Sequence, residues 1–467
     1  MKSRTALAAI TVAAATVALL AGCSSGSNKD DTTKTKGQTI TVWSEENQPD
    51  RINTTKTIIA AFTKKTGINV KLVGVDSNQF PKLVASSALS GKLPDVVGAL
   101  GLSDVRSLED QKLLNTDAAA EVIKNLGEKT FDASALKLDT DGDKHLAVPS
   151  DSFAQILVYR KDLFQQAGLK APKTYADLEK AAKTLTADGK YGMTLATDPA
   201  DVFTEQTFES FALGNDCQLV DKSGGIKLDS SNCARTWDLY GNLAQKYSPQ
   251  GTQTVDTTRA SYFAGQAAMV DWSSFILDEL AGLRNDALPT CQQCQADPTW
   301  LAKNSGIVTN VTGPDGGSGG TFGEITSWVV TKNAKAAAAQ KFIEYMMSTG
   351  YLDWLGMAPE GKVPVRTGDS SDSQKYINGW KTLKAGVDTK KPLSDIYDAA
   401  TMTALENAPK NIARWALPQG QGALLGPVDT QLVIPKVIGN LGTGSIDAAQ
   451  AAKDATDQVT QLQAKMK

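Results

Sequence analysis

Two places in this chain set a tryptophan beside carboxylates directly after an apolar strand-like run. Trp43-Ser44-Glu45-Glu46 follows Ile40-Thr41-Val42, and Asp271-Trp272 follows Ala267-Ala268-Met269-Val270. Such groupings suit a polyhydroxyl ring, whose CH face lies on an indole while its hydroxyls take bidentate hydrogen bonds from charged or amide groups. Further residues limit the chemistry. The chain has one histidine, His145, which excludes a multi-His metal site and weighs against any His-dependent triad. Cys217, Cys233, Cys291 and Cys294 form an even set with three possible pairings, of which Cys217 with Cys233 and Cys291 with Cys294 is favoured, because a Gly224-Gly225 turn lies inside the first pair. The Cys291-Gln-Gln-Cys294 spacing also suits a redox or zinc site, but no second Cys-x-x-Cys exists and no thioredoxin-like context surrounds it. No metal ligand set and no cofactor is expected. Asp139-Thr140-Asp141-Gly142-Asp143 opens like a calcium loop, yet its glycine is misplaced and no closing glutamate follows, so it reads as a turn. Gly313 to Gly320 lacks the Gly-Lys-Ser/Thr of a phosphate cradle and reads as a connecting loop; Asn53-Thr54-Thr55 is a bare sequon.

The elements that must position these residues are α/β. The 467 residues are 41% hydrophobic and 21% charged, too long for one ordinary core, so two lobes are expected. Lys and Arg number 48 against 51 Asp and Glu, and nucleic acid is an unlikely partner for a chain with no basic excess. Ile40-Thr41-Val42-Trp43 predicts a strand, Ile58, Ile59 and Phe62 a helix stopped by Gly67, and Ile68, Val70 and Leu72 the next strand. A helix over about 79–90 and a buried strand Asp95-Val96-Val97-Gly98-Ala99 extend the βαβ pattern. Trp328-Val329-Val330 reads as a strand, with Asn333 as cap of a helix burying Phe342, Ile343, Met346 and Met347. The last helix should open near Ser445 and turn Val459, Leu462 and Met466 inward.

The first residues bear on the compartment. Met1-Lys2-Ser3-Arg4, an uncharged run from Ala6 to Leu20, and Leu20-Ala21-Gly22-Cys23 read as an export signal, the run being shorter than the roughly 18 to 20 residues that span a bilayer. Leu-Ala-Gly-Cys resembles the bacterial lipobox, which implies a diacylglyceryl anchor on Cys23 after removal of residues 1–22. Residues 23–38, polar and almost without apolar side chains, read as a flexible tether holding the domain outside the cytoplasmic membrane, of a Gram-positive type of bacterium. The oxidising compartment agrees with an even cysteine set.

The order of segments resembles the extracellular solute-binding proteins of family 1, carbohydrate-binding components of ABC importers. It is carried by Leu146-Ala147-Val148-Pro149, Ile156 through Phe164, Ala167-Gly168-Leu169, Pro172 through Leu178, Phe263 through Met269, the strand and helix from Trp328 to Met347, and Gly361-Lys362-Val363-Pro364-Val365-Arg366. The resemblance implies a two-lobed periplasmic-binding-protein-like fold of class II. Lobe 1 would comprise 39–148 plus 321–365 and lobe 2 149–320 plus 366–467, with hinge crossings near Pro149, Phe322 and Arg366. By position within the family, Trp43, Glu45, Glu46, Asp104, Asp151, Glu205, Trp272, Glu324, Arg366 and Trp415 are the expected ligand residues; the loops 99–104 and 414–421 depart from the family pattern. The implied function is capture of a sugar or oligosaccharide by a monomer that delivers it to membrane permease subunits, without catalysis. The competing readings are a binding protein for a non-sugar solute, a sensor subunit, and a lipid-anchored glycoside hydrolase using two of the same carboxylates.

Overall fold

The computed structural model of the chain describes residues 35–316 and 320–466. Cys23, the export signal and most of the expected tether lie outside the described residues. The described chain is already packed before Thr39: Thr35 is buried and accepts a hydrogen bond from Lys341, and the Gly37 N–H donates to the Gly67 carbonyl. Residues 35–38, assigned to a tether by the sequence, thus find partners on the domain.

The strands are β1 (Thr39–Ser44), β2 (Asn69–Gly74), β3 (Val96–Leu100), β4 (Thr140–Asp141), β5 (Lys144–His145), β6 (Val148–Arg160), β7 (Met269–Ser273), β8 (Ser305–Val308), β9 (Thr321–Val330), β10 (Val363–Pro364), β11 (Lys384–Ala385), β12 (Lys391–Pro392) and β13 (Ile412–Ala413). β1 lies parallel between β2 and β3, and the helix Pro49–Thr66 makes the crossover from β1 to β2. That helix buries Ile58, Ile59 and Phe62 as its spacing predicts. Gly67 ends it at φ 72°, where a Cβ would be strained, and its N–H satisfies the Thr63 carbonyl.

β6 organises the site. The sequence suggests a crossover near Pro149 followed by a separate strand; the structure makes one thirteen-residue strand of both. Its first half pairs with β9 on one side and β10 on the other, and its second half pairs with β7 and β8. The strands expected to carry the crossings, β10, β6 and β9, are neighbours, although Pro149 pairs with Ser327, five residues along β9 from Phe322. The apolar side chains segregate accordingly. One core unites the helix Pro49–Thr66 with Phe342, Trp354, Tyr376, Trp380 and Leu405, and another gathers Phe208, Trp237, Trp415, Ile434 and Val459.

Two local expectations change, and a third, the turn over Asp139 to Asp143, is met. Asn333 does not cap: the helix Ala336–Met346 starts after Lys335, whose N–H is taken by the Asp95 carboxylate at 2.7 Å. The last helix spans Ala448–Met466, and Met466 is exposed because the helix outruns the core that Val459 fills. Asp139 to Asp143 forms the β4–β5 turn, with Asp139 itself buried against Ser327.

Cys217 bonds to Cys233 and Cys291 to Cys294. Val220 pairs with Ile226 across the Gly-Gly turn, bringing the first pair together. Closing a loop of that separation, 16 residues, stabilises by about 3 kcal/mol on the chain-entropy account. Thiol labelling of the denatured, non-reduced protein lacking residues 1–23 should find no free thiol; two or more labelled sites would refute the pairing.

Candidate ligand-binding cleft

A cavity of about 330 Å³ opens between the start of the helix Pro49–Thr66, which contributes Gln48 and Arg51, and the segment from Val255 to Ala287. Trp272 and Phe275 line it. Trp272 stands on β7 opposite Ile156, its indole N–H donating to the Val255 carbonyl at 3.1 Å, its ring 5.6 Å from Phe203. Phe275 follows β7 and lies 5.5 Å from the Phe153 ring and 5.1 Å from the Arg51 guanidinium. A Cβ at Gly361 would come within 2.1 Å of the Phe275 ring, so that ring needs glycine beneath it. On the far wall Arg259 pairs with Asp256 and Glu279, both at 2.8 Å. Burial pushes the Glu279 carboxyl up to about 7 despite Arg259.

Four of the ten expected ligand residues are engaged inside the protein instead. Asp151 is fully buried and accepts from Ser150 at 2.6 Å, Thr326 at 2.8 Å, the Trp354 indole at 2.8 Å and Lys362 at 3.1 Å. Glu46 is clamped by Arg51 at 2.6 Å and by Lys362. Burial alone would raise its carboxyl; the charges and hydrogen bonds of Lys362 and Arg51 outweigh burial and hold it at about 2. Arg366 gives its guanidinium to the Leu126 and Met347 carbonyls, Thr130 and Tyr376. Trp415 is fully buried 6.0 Å from Phe208, with its indole N–H on the Cys217 carbonyl at 2.8 Å. Each completes a buried network, where an unmet polar group would be costly. Trp43, partly buried, meets the Phe80 ring edge-on at 6.5 Å.

The others converge. Glu45, Asp104, Glu205 and Glu324 come together with Glu209, Asp429 and Arg414. Glu324 accepts from the Leu102 N–H at 2.7 Å and from Arg414; Arg414 also lies 3.4 Å from Glu209, which caps the Trp415 N–H at 2.6 Å. Burial, then the charges of Asp429 and Glu324, push Asp104 up to about 7, and burial does the same to Glu209 against the pull of Arg414. Glu45 and Glu205 are raised well above the ordinary range by burial and by neighbouring carboxylates. Phe153 on β6 pairs with Glu324 on β9, but none of the acidic group is among the residues lining the aromatic cavity. Among the described residues no group of three or more His, Cys, Asp and Glu side chains could hold a metal ion, and no helix is long and apolar enough to cross a membrane.

Sequence reasoning missed Arg51, Phe275, Glu209, Arg414 and Asp429. Phe275 carried a signal, falling three residues after Trp272 beyond the same strand; Arg414 sits in a loop already marked as departing from pattern.

Comparison with known proteins agrees in one direction. A family model described as bacterial extracellular solute-binding protein matches residues 47–352. YcjN of Escherichia coli strain K12, named for a periplasmic-binding role in an ABC transporter, is 30% identical over 317 residues, 66% of this chain and 68% of that protein. A maltooligosaccharide ABC transporter solute-binding lipoprotein of Streptococcus pneumoniae is 26% identical over 367 residues, 75% of this chain and 77% of that one. Among solved structures, maltose-bound MalE3 of T. maritima superposes with a TM-score of 0.68 at 18% identity, over 91% of this chain and 99% of that chain. The last similarity gives the fold, two α/β lobes with sheets flanked by helices.

Proposed function

Since the chain belongs to the bacterial extracellular solute-binding protein family, as the solute-binding component of an ABC transporter, we propose that its solute is a sugar or oligosaccharide held in the cleft and handed to a membrane permease. The observation that carries the carbohydrate reading is the cavity where Trp272 and Phe275 stand beside Arg51 and the Arg259–Glu279 pair. It offers apolar faces for ring CH groups and charged edges for hydroxyls, the combination such ligands need. The names of the S. pneumoniae lipoprotein and of the maltose-bound structure support the same ligand class. Native mass spectrometry of protein purified from its host tests this directly. A retained hexose or oligosaccharide mass is expected, and a retained peptide or other non-carbohydrate solute would overturn the reading.

The protein acts as a monomer, held outside the cytoplasmic membrane by lipid on Cys23. The support is the Leu20-Ala21-Gly22-Cys23 pattern after an uncharged run. Cys23→Ser is expected to release a folded protein into the medium, measured by fractionation. A variant still membrane-bound after a salt wash would remove the anchor from this account.

A further inference from the structure

The cavity lined by Trp272 and Phe275 also gathers polar atoms that the fold leaves unmet. Arg51 at the start of the helix Pro49–Thr66, Glu279 on the helix Ile276–Leu280 and Glu360 in the segment before β10 all line it. Arg51 Nε, Glu279 Oε2 and Glu360 Oε2 are buried, and among the described residues none of the three has a hydrogen-bond partner. Glu360 is the most enclosed, at 1% exposed. Its charged and titratable neighbours are Asp278, Arg51, Arg284 and Tyr397. Asp278 repels it, and the others are engaged elsewhere: Arg51 with Glu46 at 2.6 Å, Arg284 with Asp286 at 3.0 Å, and the Tyr397 hydroxyl donating to the Leu277 carbonyl.

An unmet buried carboxyl is costly, and the backbone around this one is fixed on both sides. The Pro359 carbonyl accepts the Trp380 indole N–H at 2.8 Å, Gly361 lies tight against the Phe275 ring, and the Lys362 ammonium is held by Glu46 and Asp151. Glu360 is thus positioned in advance beside the aromatic wall, as a binding contact must be. The unmet atoms are of both kinds. A cation satisfies the two carboxyls and has nothing to offer Arg51 Nε, while an anion does the reverse. A hydroxyl both donates and accepts, so the hydroxyls of an uncharged ring meet all three.

We infer that Glu360, with Glu279 and Arg51, selects the solute: these side chains hold hydroxyls of a neutral sugar whose ring faces rest on Trp272 and Phe275, and they discriminate against amine-bearing and acidic sugars. This deepens the carbohydrate reading and rests on it. The sugar-free protein bears the cost. Burial, then the charge of Asp278, raises the Glu360 carboxyl well above its ordinary 4.5. A carboxyl raised on folding lowers stability above pH 4.5, and glutamine, which keeps the shape without the charge, removes that loss.

The test is Glu360→Gln in the mature chain, read by thermal melts and calorimetry. Without sugar its Tm should rise by about 2 °C at pH 7.5 and by less at pH 5, whereas losing a residue that served only the fold would lower it. Glucose, galactose, mannose, maltose and maltotriose are titrated at pH 7.5 beside glucosamine, galactosamine, glucuronate and galacturonate. The tightest neutral sugar should bind at least about tenfold tighter than any charged one, and at least about tenfold more weakly to Glu360→Gln than to the parent chain. A lower Tm at pH 7.5, an unchanged affinity in the variant, or a charged sugar bound as well as the neutral ones would overturn the inference and leave the carbohydrate reading standing. No binding of any of these sugars would sink both.

Discussion

Lys362→Met should lower the unfolding free energy by about 3–5 kcal/mol at neutral pH, the usual effect of removing one partner from a buried ion pair. The Lys362 side chain is 1% exposed and lies between two buried carboxylates, Glu46 and Asp151, with its ammonium 4.5 Å over the Trp354 ring. Methionine keeps most of the volume and leaves both anions without that cation. The pH dependence has a definite sign. The folded Glu46 carboxyl titrates at about 2 instead of 4.5, so its contribution is present above pH 4.5 and is lost as pH falls toward 2. Its size is about 3 kcal/mol at 1.36 kcal/mol per pKa unit. Urea unfolding of both proteins at pH 7 and pH 3 should therefore give a gap that narrows in acid. Equal stability at pH 7 would show that Lys362 does not hold the two carboxylates.

Trp272→Ala is expected to weaken carbohydrate binding by about 2 kcal/mol, roughly thirtyfold. The ring lines the cavity, and its loss also removes the surface on which Phe203 and the Arg259 guanidinium rest, at 5.6 and 5.9 Å. Stability should fall too, because the residue is only 7% exposed. Calorimetry with the solute recovered from the host protein, alongside thermal melts, separates the two effects. A folded variant that binds like wild type would assign this tryptophan wholly to the core and place the site elsewhere. Glu46→Gln provides the contrast. Read from sequence, it loses a hydroxyl contact worth about 1 to 2 kcal/mol; with Glu46 clamped by Arg51 and Lys362, its effect belongs in stability and its effect on affinity should be small.

Local periodicity made much of the scaffold legible. Ile40 to Trp43, the stripe of Ile58, Ile59 and Phe62, and the buried run at Val96 each needed only neighbours along the chain, and a Gly-Gly turn between Val220 and Ile226 was enough to pair Cys217 with Cys233. The site was harder, because a carboxylate reads alike whether it faces ligand or a lysine 211 residues away, as Asp151 does. Arg366 and Trp415 were misleading for the same reason: a guanidinium on the Leu126 and Met347 carbonyls and an indole on the Cys217 carbonyl are tertiary facts. Arg414 and Asp429 escaped notice since neither follows a recognisable strand. Their importance comes only from the acidic company that folding gives them.

Because β6 is flanked first by β9 and β10 and then by β7 and β8, one strand supplies the middle of two neighbouring sheets. The chain therefore cannot be divided into separately foldable halves. A fragment beginning at Lys161 leaves β7 and β8 with nothing between them and both their edges open to pairing with other chains. A fragment ending at Ala154 keeps the first half of β6 and loses β9 and β10, the strands that pair with it. Split reporters and domain insertions in this scaffold consequently belong at surface turns such as Asp141 to Lys144, where two short strands already close on themselves.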